Sequence, residues 1–215
     1  MTLSNVIRLC LALVCLTIPG LPQRLTVGAI GGLRLTGDPE AYSYDTSNSK
    51  PYLVGPMIEV SLPLHFALEA DALYSRLGST AYYPFVANEY DIRTIANSWE
   101  FPLLAKYRLP VPHVHPYLSI GIAPRHAGGQ IHTIHYGYYA SDVTFSSEDW
   151  HAHDHAFVLG GGIDVVLGHI RVSPGVRYLR WKVPASPASW NTAYYLDVPQ
   201  NEAQVLLGIG WHGKR

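Results

Sequence analysis

Apolar residues recur at every second position through most of the chain, the period of a half-buried strand and not the 3.6 of a helix. Eight runs carry this alternation: 25–36, 53–62, 65–77, 97–109, 115–128, 155–167, 170–182 and 202–212. Glycine or proline breaks the chain between them, and no segment after residue 22 sustains a helical period. The pattern predicts an all-β domain of eight strands.

The links between the runs sort into two kinds. Pro63-Leu64, the pentapeptide PVPHV (110–114) and Gly168-His169 are short, whereas 37–52, 78–96, 129–154 and 183–201 are long. Short and long alternate strictly. Long structureless links are uncommon in a compact soluble domain. They are expected in an eight-stranded up-and-down antiparallel transmembrane β-barrel, with tight periplasmic turns and long extracellular loops.

Composition decides which face of each strand points inward. Leu68, Ala70, Ala72 and Tyr74 oppose Glu69 and Asp71; Trp99, Phe101, Leu103, Ala105 and Tyr107 oppose Glu100, Lys106 and Arg108; Val172, Val176 and Tyr178 oppose Arg171 and Arg177. The polar faces also carry small residues: Gly28, Gly32, Gly55, Ser61, Ala67, Ser119, Gly121, Gly160, Gly162, Gly208 and Gly210. A soluble surface has no use for so much glycine. A narrow barrel interior does, because small residues leave room for a few large charged ones. The apolar faces then meet lipid.

Together the polar faces supply the acids Glu59, Glu69, Asp71, Glu100 and Asp164 against the bases Arg34, Lys106, Arg108, Arg125, Arg171 and Arg177. Buried charges are costly unless paired, so these residues are expected to form an ion-pair network that fills the lumen and blocks conduction. On that reading, replacing Glu100 with Leu strands a buried cation and costs on the order of 3–5 kcal/mol.

The first residues differ from the rest. MTLSNVIR carries one positive charge, Arg8, and LCLALVCLTI (9–18) is apolar up to Pro19-Gly20. This is the layout of a secretory signal peptide, too short to span a bilayer as a helix. It sets residues 1–22 apart from a barrel domain at 23–215, with cleavage between residues 20 and 25. Cys10 and Cys15 both lie in the leader, so the exported chain is expected to have neither disulfide nor thiolate ligand. Charged residues make up 14% of the 215 residues and the net charge is -1. A quarter charged is usual for a soluble domain, and nothing basic enough to attract nucleic acid is present.

Three stretches resemble the eight-stranded outer-membrane β-barrel family grouped as OmpA-like and PorT-like. They are VGPMIEVSLPLHFALEADALYSRL (54–77), SWEFPLLAKYRLPVPHVHPYLSIGIAPR (98–125) and GGGIDVVLGHIRVSPGVRYLRW (160–181). The resemblance implies the barrel fold and a place in an outer membrane. It implies little about activity, since function is grafted onto such folds. Barrels of this kind commonly end on an aromatic residue; here HGKR follows Trp211.

Chemistry concentrates in the predicted loops. His126, His132, His135, His151, His153 and His155 all fall in the third long loop or at its ends. His151, His153 and His155 share one face of an extended segment, but same-face neighbours stand about 6.5–7 Å apart. Two of them with His132 or His135 from the opposite limb form the candidate metal set; the bland alternative, a pH-sensitive polar rim, is the expectation, with no cofactor. For catalysis on lipid the available serine–histidine combinations are His169 with Ser173, or His126 or His155 with Ser141, Ser146 or Ser147, and no motif binds them. No enzyme activity is therefore expected; an outer-membrane lipid-modifying enzyme and a soluble exported ligand-binding barrel are the alternatives.

Eleven of the 15 tyrosines fall in the long loops, among them Tyr42, Tyr44, Tyr82, Tyr83, Tyr136, Tyr138, Tyr139, Tyr194 and Tyr195. Ten acids share those loops with Lys50 and Arg93 alone. Tyrosine suits either a headgroup-level girdle or recognition of protein or glycan. The expected partners are outer-membrane lipid and, through the loops, an extracellular protein or glycan, with the protein itself a monomer and its termini periplasmic.

Overall fold

In the computed structural model the described residues are 24–36, 45–85, 88–111, 114–137, 143–182 and 200–212. The proposed leader, the last three residues after His212, and 37–44 and 183–199 of the first and fourth long links lie outside them. Eleven strands are described: β1 (Arg24–Arg34), β2 (Asp45–Ser47), β3 (Tyr52–Ser61), β4 (Phe66–Asp71), β5 (Leu73–Phe85), β6 (Asn88–Glu100), β7 (Leu103–Arg108), β8 (Val114–Tyr136), β9 (Val143–Leu167), β10 (Ile170–Lys182) and β11 (Asn201–His212).

Two pairs of these are single strands with a break. β4 and β5 part at Ala72, and β6 and β7 part at Phe101-Pro102, where the proline has no N–H to give to the ladder. The neighbours close the gap: Phe101 N–H donates to the Pro124 carbonyl at 2.8 Å and Asp71 N–H to the Pro102 carbonyl at 3.0 Å. Counted this way, eight antiparallel strands pair in sequence order, and β1 pairs with β11 to close the ring. A walk across the ladder that leaves β1 at Arg34 passes Gln204, Arg177, Gly160, Ser119, Lys106, Ala67 and Ser61 and returns at Arg24, ten residues lower. That stagger tilts the strands, as closure requires.

Polarity is inverted throughout the ring. Leu118 is 65% exposed and Ile122 54%, while Glu59 is 1% and Lys106 3% exposed. Glycines on the inward face sit where strands crowd: a Cβ on Gly55 would run into the Ala72 carbonyl, and one on Gly121 into that of Leu103. The turns at 62–65 and 168–169 lie at the same end as Arg24 and His212, with Leu64, His65 and Gly168 at positive φ.

The main departure from the sequence reading is at the other end. Two of the expected long loops, 78–96 and 129–154, are strand over almost their whole length. β5 and β6 stay paired to Phe85↔Asn88, β6 and β8 to Glu89↔Tyr136, and β8 and β9 to Tyr136↔Val143. A strand of about 9–11 residues crosses a membrane, whereas β8 has 23 residues and β9 has 25. One side of the barrel therefore rises into a four-strand sheet that β2 extends along β5. Near its tip both faces are open: residues 143–149 are all exposed.

Candidate functional site

The lower lumen is a lattice of charge built from seven of the eight ring strands. Glu59 on β3 is its hub: it accepts from Arg171 on β10 and Arg108 on β7, and lies 3.4 Å from Lys106 Nζ. Arg108 Nε donates to Asp164 on β9 at 2.6 Å, and Ser173 Oγ donates to the other oxygen of Asp164 at 2.7 Å. Lys106 donates to Glu69 and lies 4.4 Å over the Tyr117 ring on β8. Arg177 bridges Glu69 and Asp71, both at 2.7 Å. Arg171 also reaches Thr26 on β1. Four carboxylates meet four cations, so the layer is neutral, and each charge answers the cost of burial with close partners.

Above it the lumen is apolar and then acidic. Leu104, Ala123, Ala156, Val158, Leu179 and Trp181 pack together. Over them Gln204 Nε2 donates to Glu100 at 3.1 Å and to Glu202 at 2.7 Å, and the Trp181 indole N–H donates to Glu202 at 3.1 Å. Arg125 stacks on Trp181 with its guanidinium 3.8 Å from the ring centroid and pairs with Asp154 at 2.6 Å. A void of about 10 Å³ beside Lys106 and Tyr117 has room for about one water.

All eleven residues singled out for the lumen point inward, with Arg34 donating to the Lys50 carbonyl at 3.4 Å. Glu100 departs from expectation. It accepts a hydrogen bond from Gln204 and lies in the field of Arg125 and Arg34, which attract it, and of Glu202, which repels it, so its surroundings are less favourable than those of Glu59. Glu202, Gln204 and Trp181 were missed. For the first two the signal was parity: Glu202 and Gln204 share the face of Gly208 and Gly210, already assigned to the interior.

The histidines belong to strands. His126 on β8 pairs with His153 on β9, their Nδ1 atoms 3.2 Å apart, and the His151 ring stacks on His126 with centroids 6.1 Å apart. His132 instead faces Ser147, and His135 stacks on Tyr90 at 4.5 Å. The opposite limb thus brings His126 to the cluster, and neither His132 nor His135. His155 lies opposite Pro124 and Lys182. Among the described residues no three His, Cys, Asp or Glu side chains assemble a metal site. The serine–histidine combinations do not assemble either: Ser173 faces the lumen while His169 stacks on Trp211 at 5.1 Å, and Ser147 lies across from His132. Ser141 lies outside the described residues.

Aromatic rings mark two levels on the outside. Tyr52, Tyr74, Trp99 and Tyr178 ring the top of the apolar belt, with Tyr74 and Trp99 centroids 5.4 Å apart. Phe66 and Tyr107 (5.1 Å) and Trp211 mark the bottom. Tyr52 and Tyr178 therefore stand in a girdle. Tyr82, Tyr90 and Tyr136 stand above it, and a hydrogen bond to Glu89 holds the Tyr82 hydroxyl above its ordinary titration range. Tyr42, Tyr44, Tyr138, Tyr139, Tyr194 and Tyr195 lie outside the described residues.

A closed ring, an apolar belt between two aromatic girdles and a charged interior occur together in one setting. The fold is a transmembrane β-barrel. Among solved structures the chain is similar to the N-terminal β-barrel domain of Pseudomonas aeruginosa OprF (13% identity, 88% of this chain and 97% of that one, TM-score 0.42). It is similar to Ail, the attachment invasion locus protein of Yersinia pestis, in complex with the heparin analogue sucrose octasulfate (9%, 89% and 97%, 0.44). It is also similar to a major outer membrane protein from Thermus thermophilus (9%, 90% and 100%, 0.49). No protein-family model and no curated protein sequence matches. At these identities no role passes to this chain, and the barrel rests on its own ladder and its own inverted polarity.

Proposed function

We propose that this protein is a monomeric, non-conducting outer-membrane barrel whose task is to hold the β5-β6-β8-β9 sheet above the membrane as a contact surface. The termini and short turns face the periplasm, and the sheet faces the outside. The observation that carries this reading is the continuity of the four strands. They leave the membrane without a break and end in a sheet exposed on both faces, with Tyr82, Tyr136 and Phe145 open to solvent. Rigid aromatics with polar neighbours favour contact with an extracellular protein or glycan. The filled lumen argues against transport, and the separated serines and histidines support no catalytic role.

An epitope inserted between Tyr136 and Val143 tests the orientation: antibody should label intact cells as strongly as permeabilised ones. A barrel with 131–147 replaced by a short turn tests the role. It should fold yet lose whatever binding the full chain shows on arrays of glycans and matrix proteins. Labelling only after permeabilisation, or binding that survives the deletion, contradicts the proposal.

A further inference from the structure

Just above the upper aromatic girdle, the ionisable side chains that face outward from β5, β6, β8, β9 and β10 are, among the described residues, all basic: Arg76 on β5, His126 on β8, His153 and His155 on β9, and Arg180 and Lys182 on β10. All six are exposed. The pairing holds them in one row, since His126 lies opposite Trp99 and His153, His155 opposite Lys182, and Arg76 opposite Asn97. The carboxylate in this stretch, Asp154, turns inward to Arg125. Among the described residues the nearest outward acids on these strands and on β6, Asp149 on β9 and Asp91 on β6, stand four or more residues further up.

From this we infer that the row is a docking surface for phosphate-bearing lipid headgroups of the outer leaflet, and that its grip tightens in acid. The inference rests on the membrane reading above and adds a ligand class to it. Height carries the argument: a girdle of Tyr and Trp lies at the headgroup level, so groups one or two positions above it meet the phosphates. Charge complementarity carries the rest. Arg180 and Lys182 are permanent cations, with Arg180 steadied by the Asn201 side chain at 2.6 Å. His126 and His153 face each other nitrogen to nitrogen at 3.2 Å. One proton satisfies that contact, whereas a second needs an anion to offset the repulsion, and a phosphate oxygen supplies it. Imidazoles ordinarily gain charge near pH 6–7. Among the described residues the groups facing them are Trp99 and Asn97 from β6 and Lys182 from β10, and none is acidic.

Spin-labelled phosphatidylglycerol and phosphatidylcholine, each added to the full chain reconstituted in phosphatidylcholine bilayers, give the relative affinity of the boundary sites. At pH 5.5 the anionic lipid should be preferred by about fivefold, the factor that one basic group beside an anionic surface supplies. The preference should shrink at pH 8 and in high salt. It should vanish in a variant with His126→Gln, His153→Gln, His155→Gln, Arg180→Gln and Lys182→Gln, whose folding is checked by its heat-shifted gel mobility. Equal affinity for the two lipids at both pH values overturns the proposal, and the wild-type pH dependence decides it even if the variant misfolds. A chain that immobilises neither lipid overturns the membrane reading beneath it, and the docking surface with it.

Discussion

The barrel and the sheet that grows from it are made of the same strands and obey different rules. Below the girdle, β8 turns Leu118, Ile120 and Ile122 outward and Tyr117, Ser119 and Gly121 inward; above it, the same outward face carries His126, Gln130 and His132. The ladder does not change at the boundary, since β8 and β9 pair without a slip from Val114↔Val165 to Tyr136↔Val143. What changes is the solvent. In lipid an open sheet edge is not tolerated and charge must turn inward, whereas in water a sheet can be polar on both faces. The difference locates the membrane surface between Ile122 and His126.

Stability should divide along the same line. Glu59→Leu removes the carboxylate that Lys106, Arg108 and Arg171 share and should cost about 3–5 kcal/mol, the penalty for breaking a buried pair; urea unfolding in detergent micelles measures it. Trp181→Ala removes the platform under Arg125 and the donor to Glu202, and should cost a similar amount, about 3 kcal/mol or more. Glu100→Gln should be milder, about 1 kcal/mol, because the attraction of Arg125 and Arg34 that is lost is offset by the repulsion of Glu202 that is relieved, and the contact with Gln204 is exchanged for another hydrogen bond. A Glu100 variant as damaging as the Glu59 one would show that the upper lumen depends on ion pairs just as the lower does. Smallest of all, Phe145→Ser or Gln130→Ser in the sheet should leave barrel unfolding within about 0.5 kcal/mol, as for ordinary surface sites.

The same boundary separates what was legible in the sequence from what was not. Alternation with opposed chemistry, as in Leu68 and Ala70 against Glu69 and Asp71, identified the ring strands and their inward faces. GGQIHTIHY and VTFSSEDWHAHD place apolar and polar residues on both faces, so no contrast of period two survives and they read as loop. Pairing partners were harder still. His126 meets His153 only if the hairpin is counted down from Tyr136↔Val143. Gln204 reaches Glu100 across the lumen because of the ten-residue stagger, which no local pattern announces. Glu202 and Gln204 could be placed by parity with Gly208 and Gly210, but not their hydrogen bonds.

Nitroxide scanning along the outward face of β8 tests the central claim most directly. Single cysteines replace Leu118, Ile120, Ile122, His126, Gln130 and His132 in turn, in a background without Cys10 and Cys15, and each spin label is exposed to oxygen and to a water-soluble nickel complex in bilayers. The account predicts oxygen-accessible labels at 118, 120 and 122 and nickel-accessible labels at 126, 130 and 132, with the crossing inside one turn of side chains. Nickel access along the whole face, as for a barrel standing in water, would contradict it.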